Sequence, residues 1–160
     1  MEKYINHFWS WYEDNLHLNI GIAAGIFVWQ LVHLWWLTFD VIAKRLFFDT
    51  FLILDLTRIW EYLIVVVDYT EIPAIFTVSI LYINELRKKT NIHKNILFLI
   101  ILNSQWLHLF WITDEFIVAH FRGEHIGFSV WFFCWIAILI DYLELPVIYD
   151  TIKKFLWTRR

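Results

Sequence analysis

Long apolar runs alternate with short polar segments along the whole chain. Four of these runs cover approximately residues 20–43, 59–86, 96–119 and 127–152. As helices rising about 1.5 Å per residue, each is long enough to cross a hydrocarbon core of about 30 Å. The pattern therefore predicts four membrane-spanning helices.

The segment before the first run, residues 1–19, has a different pattern. Tyr4, Phe8 and Trp11 recur there at helical spacing. Aromatic residues of this kind concentrate at the depth of the lipid headgroups, so we expect an amphipathic helix lying in the membrane interface. The stretch 46–58 is ambiguous, because it fits either a second interfacial element or an early start of the second span.

The Lys and Arg residues predict the orientation. The N-terminal segment, the connection after the second span and the C-terminus lie on one side and carry nine of the 13 basic residues. Lys44, Arg45, Arg58 and Arg122 lie on the other side. The positive-inside rule then places both termini in the cytoplasm.

Composition supports a membrane protein and excludes some partners. The chain is 60% hydrophobic, with a mean hydropathy of +0.56 and only 4 Gly. This apolar share exceeds that of an ordinary soluble domain, and the 160 residues suit a single membrane domain. The net charge of −3 argues against a nucleic-acid partner, and the single Cys134 cannot form an internal disulfide.

Two segments of the first half recur in the second half. Gln30–Asp40 aligns without gaps to Gln105–Glu115, and Asp68–Pro73 aligns to Asp141–Pro146. Because each copy contains two spans, both copies share one orientation. The predicted fold is thus an all-α, integral membrane four-helix bundle. It consists of two parallel two-helix repeats, residues 20–86 and 95–152, preceded by the interfacial helix.

The repeated acids and histidines share helix faces. His33 and Asp40 are seven residues apart, and Asp68 and Glu71 are three apart, so each pair projects from one side of its helix. The second copy repeats both spacings. The predicted metal ligands are His33, Asp40, Asp68, Glu71, His108, Glu115, Asp141 and Glu144.

These acids need compensation inside a membrane. A charged side chain near the bilayer centre costs at least about 2.5–3.5 kcal/mol, and basic partners are nearly absent from the spans. Some acids are then protonated, or divalent metal ions neutralise them. Imidazole with carboxylates suits iron, which we favour, or zinc or manganese. The set also approaches the two-His, four-carboxylate inventory of dinuclear bundle sites, although the spacings differ.

Other side chains are predicted to support the ligands. Gln30, Gln105 and Glu61 are expected to contact the ligands by hydrogen bonds and so to orient them. Interhelical hydrogen bonding is an equally open role for the two glutamines. Asp40, four residues before Lys44, is alternatively an interfacial acid, and Asp114 competes with Glu115 because adjacent residues point about 100° apart.

The sequence leaves the activity open between an enzyme and a transporter, and it identifies no catalytic residue. A dinuclear iron centre would suit oxidation of a lipid or quinol, and a zinc centre would suit hydrolysis of a lipid-linked bond. The alternative is a proton or divalent-cation transporter or channel that uses the same acids and histidines as a homo-oligomer. A third interpretation is a b-type haem between His33 and His108. From the span boundaries we expect the cluster in the outer half of the membrane.

Overall fold

The computed structural model describes residues 2–42, 63, 66–113 and 131–157, without the side chains of residues 40, 41, 112 and 131–134. Over this part of the chain the fold is all-α. The helices are α1 (Glu2–Asp14), α2 (Leu16–Trp36), α3 (Glu71–Arg87), α4 (Ile92–Ile112), α5 (Trp131–Leu143) and α6 (Leu145–Trp157). A π-helix, Leu37–Ile42, extends α2, and a helical turn over residues 66–69 precedes α3.

Asparagine side chains mark the break between α1 and α2. Asn15 donates to the Trp11 carbonyl over 2.9 Å, and Asn19 donates to the Tyr12 carbonyl over 3.2 Å. Asparagine interrupts helices because its side chain competes for the backbone hydrogen-bonding groups. The interfacial segment predicted over residues 1–19 is thus a separate helix of residues 2–14, and α2 begins earlier than the predicted start of the first span.

The connection between α3 and α4 is short because two of its residues are left-handed. Lys89 has φ of 55° and Asn91 has φ of 42°. Asparagine visits this region more readily than most residues, since its side chain can bond locally. The chain therefore reverses within a few residues, and α3 and α4 pack as an antiparallel hairpin.

The helices are interrupted just before each of the two prolines. A single turn residue, Thr70, separates the turn over residues 66–69 from α3, and Glu144 separates α5 from α6. The amide of Thr70 bonds the Val67 carbonyl, and that of Glu144 bonds the Asp141 carbonyl, at 2.9 and 3.1 Å. These are tightened turns, and the nearby prolines lack the N–H that would continue an α-helix. The predicted fourth span is consequently not one unbroken helix.

Helices α2, α3 and α4 and the consecutive pair α5–α6 form the four sides of a bundle around one apolar core. Helix α2 packs against α3 and α6, and α4 packs against α3 and α5. Phe27, Val78, Leu102 and Val147 come from different sides and are completely buried between them. This layer separates the two ends of the bundle.

Two of the described helices are long and apolar enough to cross a membrane. They are Leu16–Phe39 and Val66–Arg87, with mean hydropathies of 1.6 and 1.4. The core helix of a soluble protein meets the same criteria of length and composition. The predicted third and fourth spans extend into residues 114–130, outside the described part, so four spans remain a prediction.

Charged residues gather at one end of the bundle, which we call the basic end. There Lys88 lies 3.3 Å from Glu13, and Lys154 lies 2.8 Å from Glu85. The basic end thus comprises α1, the α3–α4 connection and the last turns of α6. Arg87 also stacks over the Trp9 ring at 4.2 Å, so α1 lies across this end.

Candidate metal centre

Four of the predicted site residues lie at a common depth in the bundle. His33 and His108 come about 16 residues after α2 and α4 leave the basic end, and Glu71 and Asp141 come about 16 residues before α3 and α6 return to it. At about 1.5 Å per residue, each lies roughly 24 Å from the basic end. Four different helices therefore bring these residues to one level.

Four of these residues form a compact group of donor atoms. One donor atom from each of His33, Glu71, His108 and Asp141 lies within 4.8 Å of all the others. All four side chains are buried, with exposed fractions of 1–3%. The group is geometrically able to bind a metal ion.

Asp141 lies between the two imidazoles. Its Oδ1 atom is 2.9 Å from His108 Nδ1, and its Oδ2 atom is 3.5 Å from His33 Nε2. The two rings are nearly perpendicular, with centroids 5.7 Å apart. A porphyrin does not fit between imidazoles that share a carboxylate in this way, so the geometry disfavours the haem interpretation.

Asp68 is in close contact with His33 on the opposite side of the ring. Its Oδ1 atom approaches His33 Nδ1, while His33 Nε2 faces Asp141. Metal-binding histidines commonly donate their second ring N–H to a carboxylate, which fixes the tautomer and orients the ring. In this arrangement Asp68 suits an orienting role toward His33 at least as well as direct ligation.

Several donor atoms of the cluster have no hydrogen-bond partner within the described part of the chain. Within the described residues, Glu71 Oε2, His108 Nε2 and Glu144 Oε1 are buried and accept or donate no hydrogen bond. Buried polar atoms are normally paired, and leaving one unpaired costs about 1–3 kcal/mol. These atoms are therefore available to a ligand. Glu144 also occupies the turn between α5 and α6, next to this group.

The donor types restrict the metals that fit. Zinc bonds of about 2.0–2.2 Å place tetrahedral donors about 3.4 Å apart. Donor atoms up to 4.8 Å apart would therefore have to move closer by up to about 1.4 Å to bind such an ion. Two imidazoles with carboxylates suit iron, zinc or manganese. The four residues of the group offer nitrogen and oxygen atoms and no thiolate sulfur, which is the ligand that copper(I) prefers.

The two glutamines hold the helix backbones beside the acids. Gln30 donates to the Val67 carbonyl over 3.2 Å and to the Thr70 hydroxyl over 2.7 Å. Gln105 donates to the Ile140 carbonyl over 3.3 Å. The two carbonyl bonds reach Val67 and Ile140, the residues directly before Asp68 and Asp141. These bonds join neighbouring helices, which is the alternative role that the sequence analysis left open for the two glutamines.

Two tyrosine–threonine pairs join the helices next to the acids, and the sequence reasoning missed them. Tyr69 bonds Thr113 over 2.8 Å, and Tyr142 bonds Thr38 over 2.5 Å. Both tyrosines directly follow a site aspartate, and both threonines occupy the same position in the aligned segments. The alignment of the two repeats could have identified these pairs, since both threonines and both tyrosines occupy equivalent positions in it.

Four residues named in the sequence analysis lie outside the described part of the structure, either wholly or in their side chains. Residues Glu61 and Glu115 lie outside the described ranges, as does the rival Asp114. Asp40 belongs to the π-helix Leu37–Ile42, but its side chain is not described. Their roles as ligands or supporting residues stay predictions.

Comparison with known proteins adds no further assignment. The chain matches no protein-family model, no curated protein and no solved structure.

Proposed function

We propose that the chain is an integral membrane metalloprotein that binds divalent metal ions inside a helical bundle. The observation that carries this proposal is the buried group of His33, Glu71, His108 and Asp141, whose donor atoms lie within 4.8 Å of one another. Two imidazoles and two carboxylates from four helices are a costly arrangement without a bound cation, because ionised groups need charge compensation in an apolar interior.

The distribution of exposed side chains supports a membrane environment. Among the described residues, exposed charged side chains occur in α1, at the α3–α4 connection and in the last turns of α6. From these regions to just beyond the level of the site residues, large apolar residues dominate the exposed positions of the described helices. Examples more than half exposed are Val28, Trp29, Trp35, Phe76, Ile100, Leu107, Phe110 and Leu139. Such a continuous apolar surface suits lipid better than water.

Matched contacts support the interpretation of two repeats. One histidine–aspartate contact in each copy joins Nδ1 of the histidine to Oδ1 of the aspartate. The pairs are His33–Asp68 and His108–Asp141, which occupy equivalent positions in the two copies. The bonds of Gln30 and Gln105 are likewise equivalent. The tyrosine–threonine pairs extend this relation, because each joins one copy to the other. A pseudo-twofold axis through the cluster accounts for all of these pairs.

Charge balance supports a dinuclear site. Asp68, Glu71, Asp141 and Glu144 are all buried at this level. Two divalent ions would neutralise these four carboxylates when both imidazoles are neutral ligands. A single ion would leave two negative charges in an apolar interior, which is unfavourable. Iron is the metal we propose first, because the donor inventory approaches that of dinuclear carboxylate bundles.

The activity that we propose is oxidation of a lipid or quinol by a redox-active metal pair. The depth of the cluster supports this class, since a site about 24 Å from the basic end lies within or near the region that holds hydrophobic substrates. By the positive-inside rule the basic end is cytoplasmic, and the centre lies toward the opposite membrane face.

Metal analysis of protein purified in detergent without chelator tests the proposal. We expect about two iron, zinc or manganese ions per chain, as charge balance requires. His33→Ala should lower the metal content, whereas His93→Ala, which changes an exposed histidine at the start of α4, should not. Failure of all three metals to bind would refute the proposal.

Vesicles distinguish the proposed enzyme from a transporter. An impermeant chelator should remove metal faster from right-side-out vesicles than from inverted ones. Flux of metal ions or protons that disappears in both Asp68→Asn and Asp141→Asn would instead assign the site to transport.

A further inference from the structure

Two tryptophans accompany the two histidines at equivalent positions. Trp36 and Trp111 each come three residues after a site histidine, and both lie in the aligned segments. The ring centroids of His33 and Trp36 are 6.0 Å apart, and those of His108 and Trp111 are 6.2 Å apart. Each indole therefore lies beside one imidazole of the metal centre.

Both indole N–H groups are buried without an acceptor. Among the described residues, no atom accepts a hydrogen bond from Trp36 Nε1 or Trp111 Nε1, and neither nitrogen is exposed. An indole nitrogen can only donate, and buried tryptophan N–H groups usually find a partner. Two buried donors at matched positions, each beside one of the two imidazoles, are thus open to an acceptor.

Packing explains where the tryptophan rings lie, but it does not explain why their nitrogens lack an acceptor among the described residues. Trp36 does pack against the apolar core, which explains the position of its ring but not its unpaired nitrogen. The helix also widens into the π-helix Leu37–Ile42 immediately after Trp36. Insertions of this type occur frequently at functional sites, where they redirect side chains.

We propose that the two indole N–H groups bind a small anion that docks beside the metal ions. This inference rests on the proposed metal centre. Without metal the neighbouring carboxylates, among them Asp68 and Asp141, would repel an anion. With two divalent ions bound the centre is neutral, and an anion can ligate a metal while it accepts from Trp36 and Trp111. The ligand class is a small anion such as a carboxylate, and its binding requires metal.

Azide is the probe for a first test on the full-length protein loaded with cobalt(II), whose visible absorption reports changes of ligation. Azide should change the spectrum of the loaded protein. Trp36→Phe and Trp111→Phe should each weaken azide binding by about tenfold, because each removes a hydrogen bond to a charged acceptor. Cobalt content should stay unchanged. The matched control is Trp35→Phe, which changes the exposed neighbouring indole and should leave the azide affinity at its wild-type value.

Nuclear magnetic resonance of the wild-type protein tests the same inference without a substitution. Of the 11 indole N–H signals, two should shift downfield when azide is added to the zinc-loaded protein, and none should shift without metal. Unchanged azide affinity in both tryptophan variants, or indole signals that do not respond, would overturn this inference alone. Failure of the wild-type protein to bind any metal would overturn the proposed function and this inference with it.

Discussion

Replacement of Asp141 by Asn is the most informative perturbation of the proposed metal centre. Asp141 contacts both imidazoles, at 2.9 Å from His108 Nδ1 and 3.5 Å from His33 Nε2, and it belongs to the group of four donors. Asparagine keeps the shape of the side chain and removes its charge. The change therefore isolates the electrostatic contribution of this carboxylate to metal binding.

The geometry sets the size of the expected effect. A point equidistant from donors up to 4.8 Å apart lies about 3 Å from each of them. A unit negative charge about 3 Å from a divalent ion contributes about 3 kcal/mol at the dielectric constant of water, and about 11 kcal/mol at an effective value of about 20. Because burial of the carboxylate offsets part of this gain, we take the lower figure. It corresponds to a loss of affinity of about 100-fold.

The assay is a competition titration with a chelator of known affinity on purified protein in detergent. Asp150→Asn is the matched control, because Asp150 lies at the basic end, where Lys94 and Lys154 contact it at 2.7 and 2.8 Å. The control should keep the wild-type metal affinity. Circular dichroism should show equal helix content in both variants. Wild-type affinity in a folded Asp141→Asn variant would refute the assignment of Asp141 as a ligand.

Three further outcomes follow from the same contacts. Gln105→Leu should lower the free energy of unfolding by about 0.5–2 kcal/mol, since it removes a buried interhelical hydrogen bond. Asn103→Leu removes only a bond within its own helix, and it should have a smaller effect in the same denaturation experiment. Metal should dissociate as the pH falls, because imidazole and carboxylate ligands must be deprotonated to bind; an affinity independent of pH between 7 and 5 in a metal titration would contradict histidine ligation. Burial and the Glu85 carboxylate raise the pKa of Tyr12 from 10.0 to about 12, so its contribution to stability should be complete below pH 10 and be lost as the pH rises toward 12, and Tyr12→Phe should remove that part of the pH dependence of unfolding.

The sequence repeat explains why much of the candidate site could be anticipated. Helical periodicity directs Asp68 and Glu71 to one side, and the second copy repeats the pattern with Asp141 and Glu144. Packing brings these acids together with both histidines, at one depth. Periodicity cannot show which groups touch, however. Asp141 contacts two imidazoles and Asp68 contacts one, an asymmetry that arises from side-chain packing across the bundle.

The local course of the helices was less accessible from the sequence. Apolar content predicts that a segment is buried or in lipid, but it does not reveal where a helix is interrupted. Pro146 lacks the N–H that would continue an α-helix, but only the structure shows that the interruption falls at Glu144 and divides the run into α5 and α6. Likewise, the hydrogen-bond partner of Gln30 depends on which backbone carbonyl of the neighbouring helical segment lies within reach of its side chain. Such choices depend on interhelical distances that a one-dimensional pattern does not contain.

X-ray absorption spectroscopy at the edge of the bound metal tests the central claim most directly, because it reports the ligand atoms themselves. The wild-type protein should show a first shell of nitrogen and oxygen, without sulfur, and scattering from two imidazoles. His33→Ala and His108→Ala should each remove one imidazole contribution or the metal itself. A metal bound through sulfur, or a wild-type spectrum without imidazole scattering, would contradict a metal centre built from the buried histidines and carboxylates.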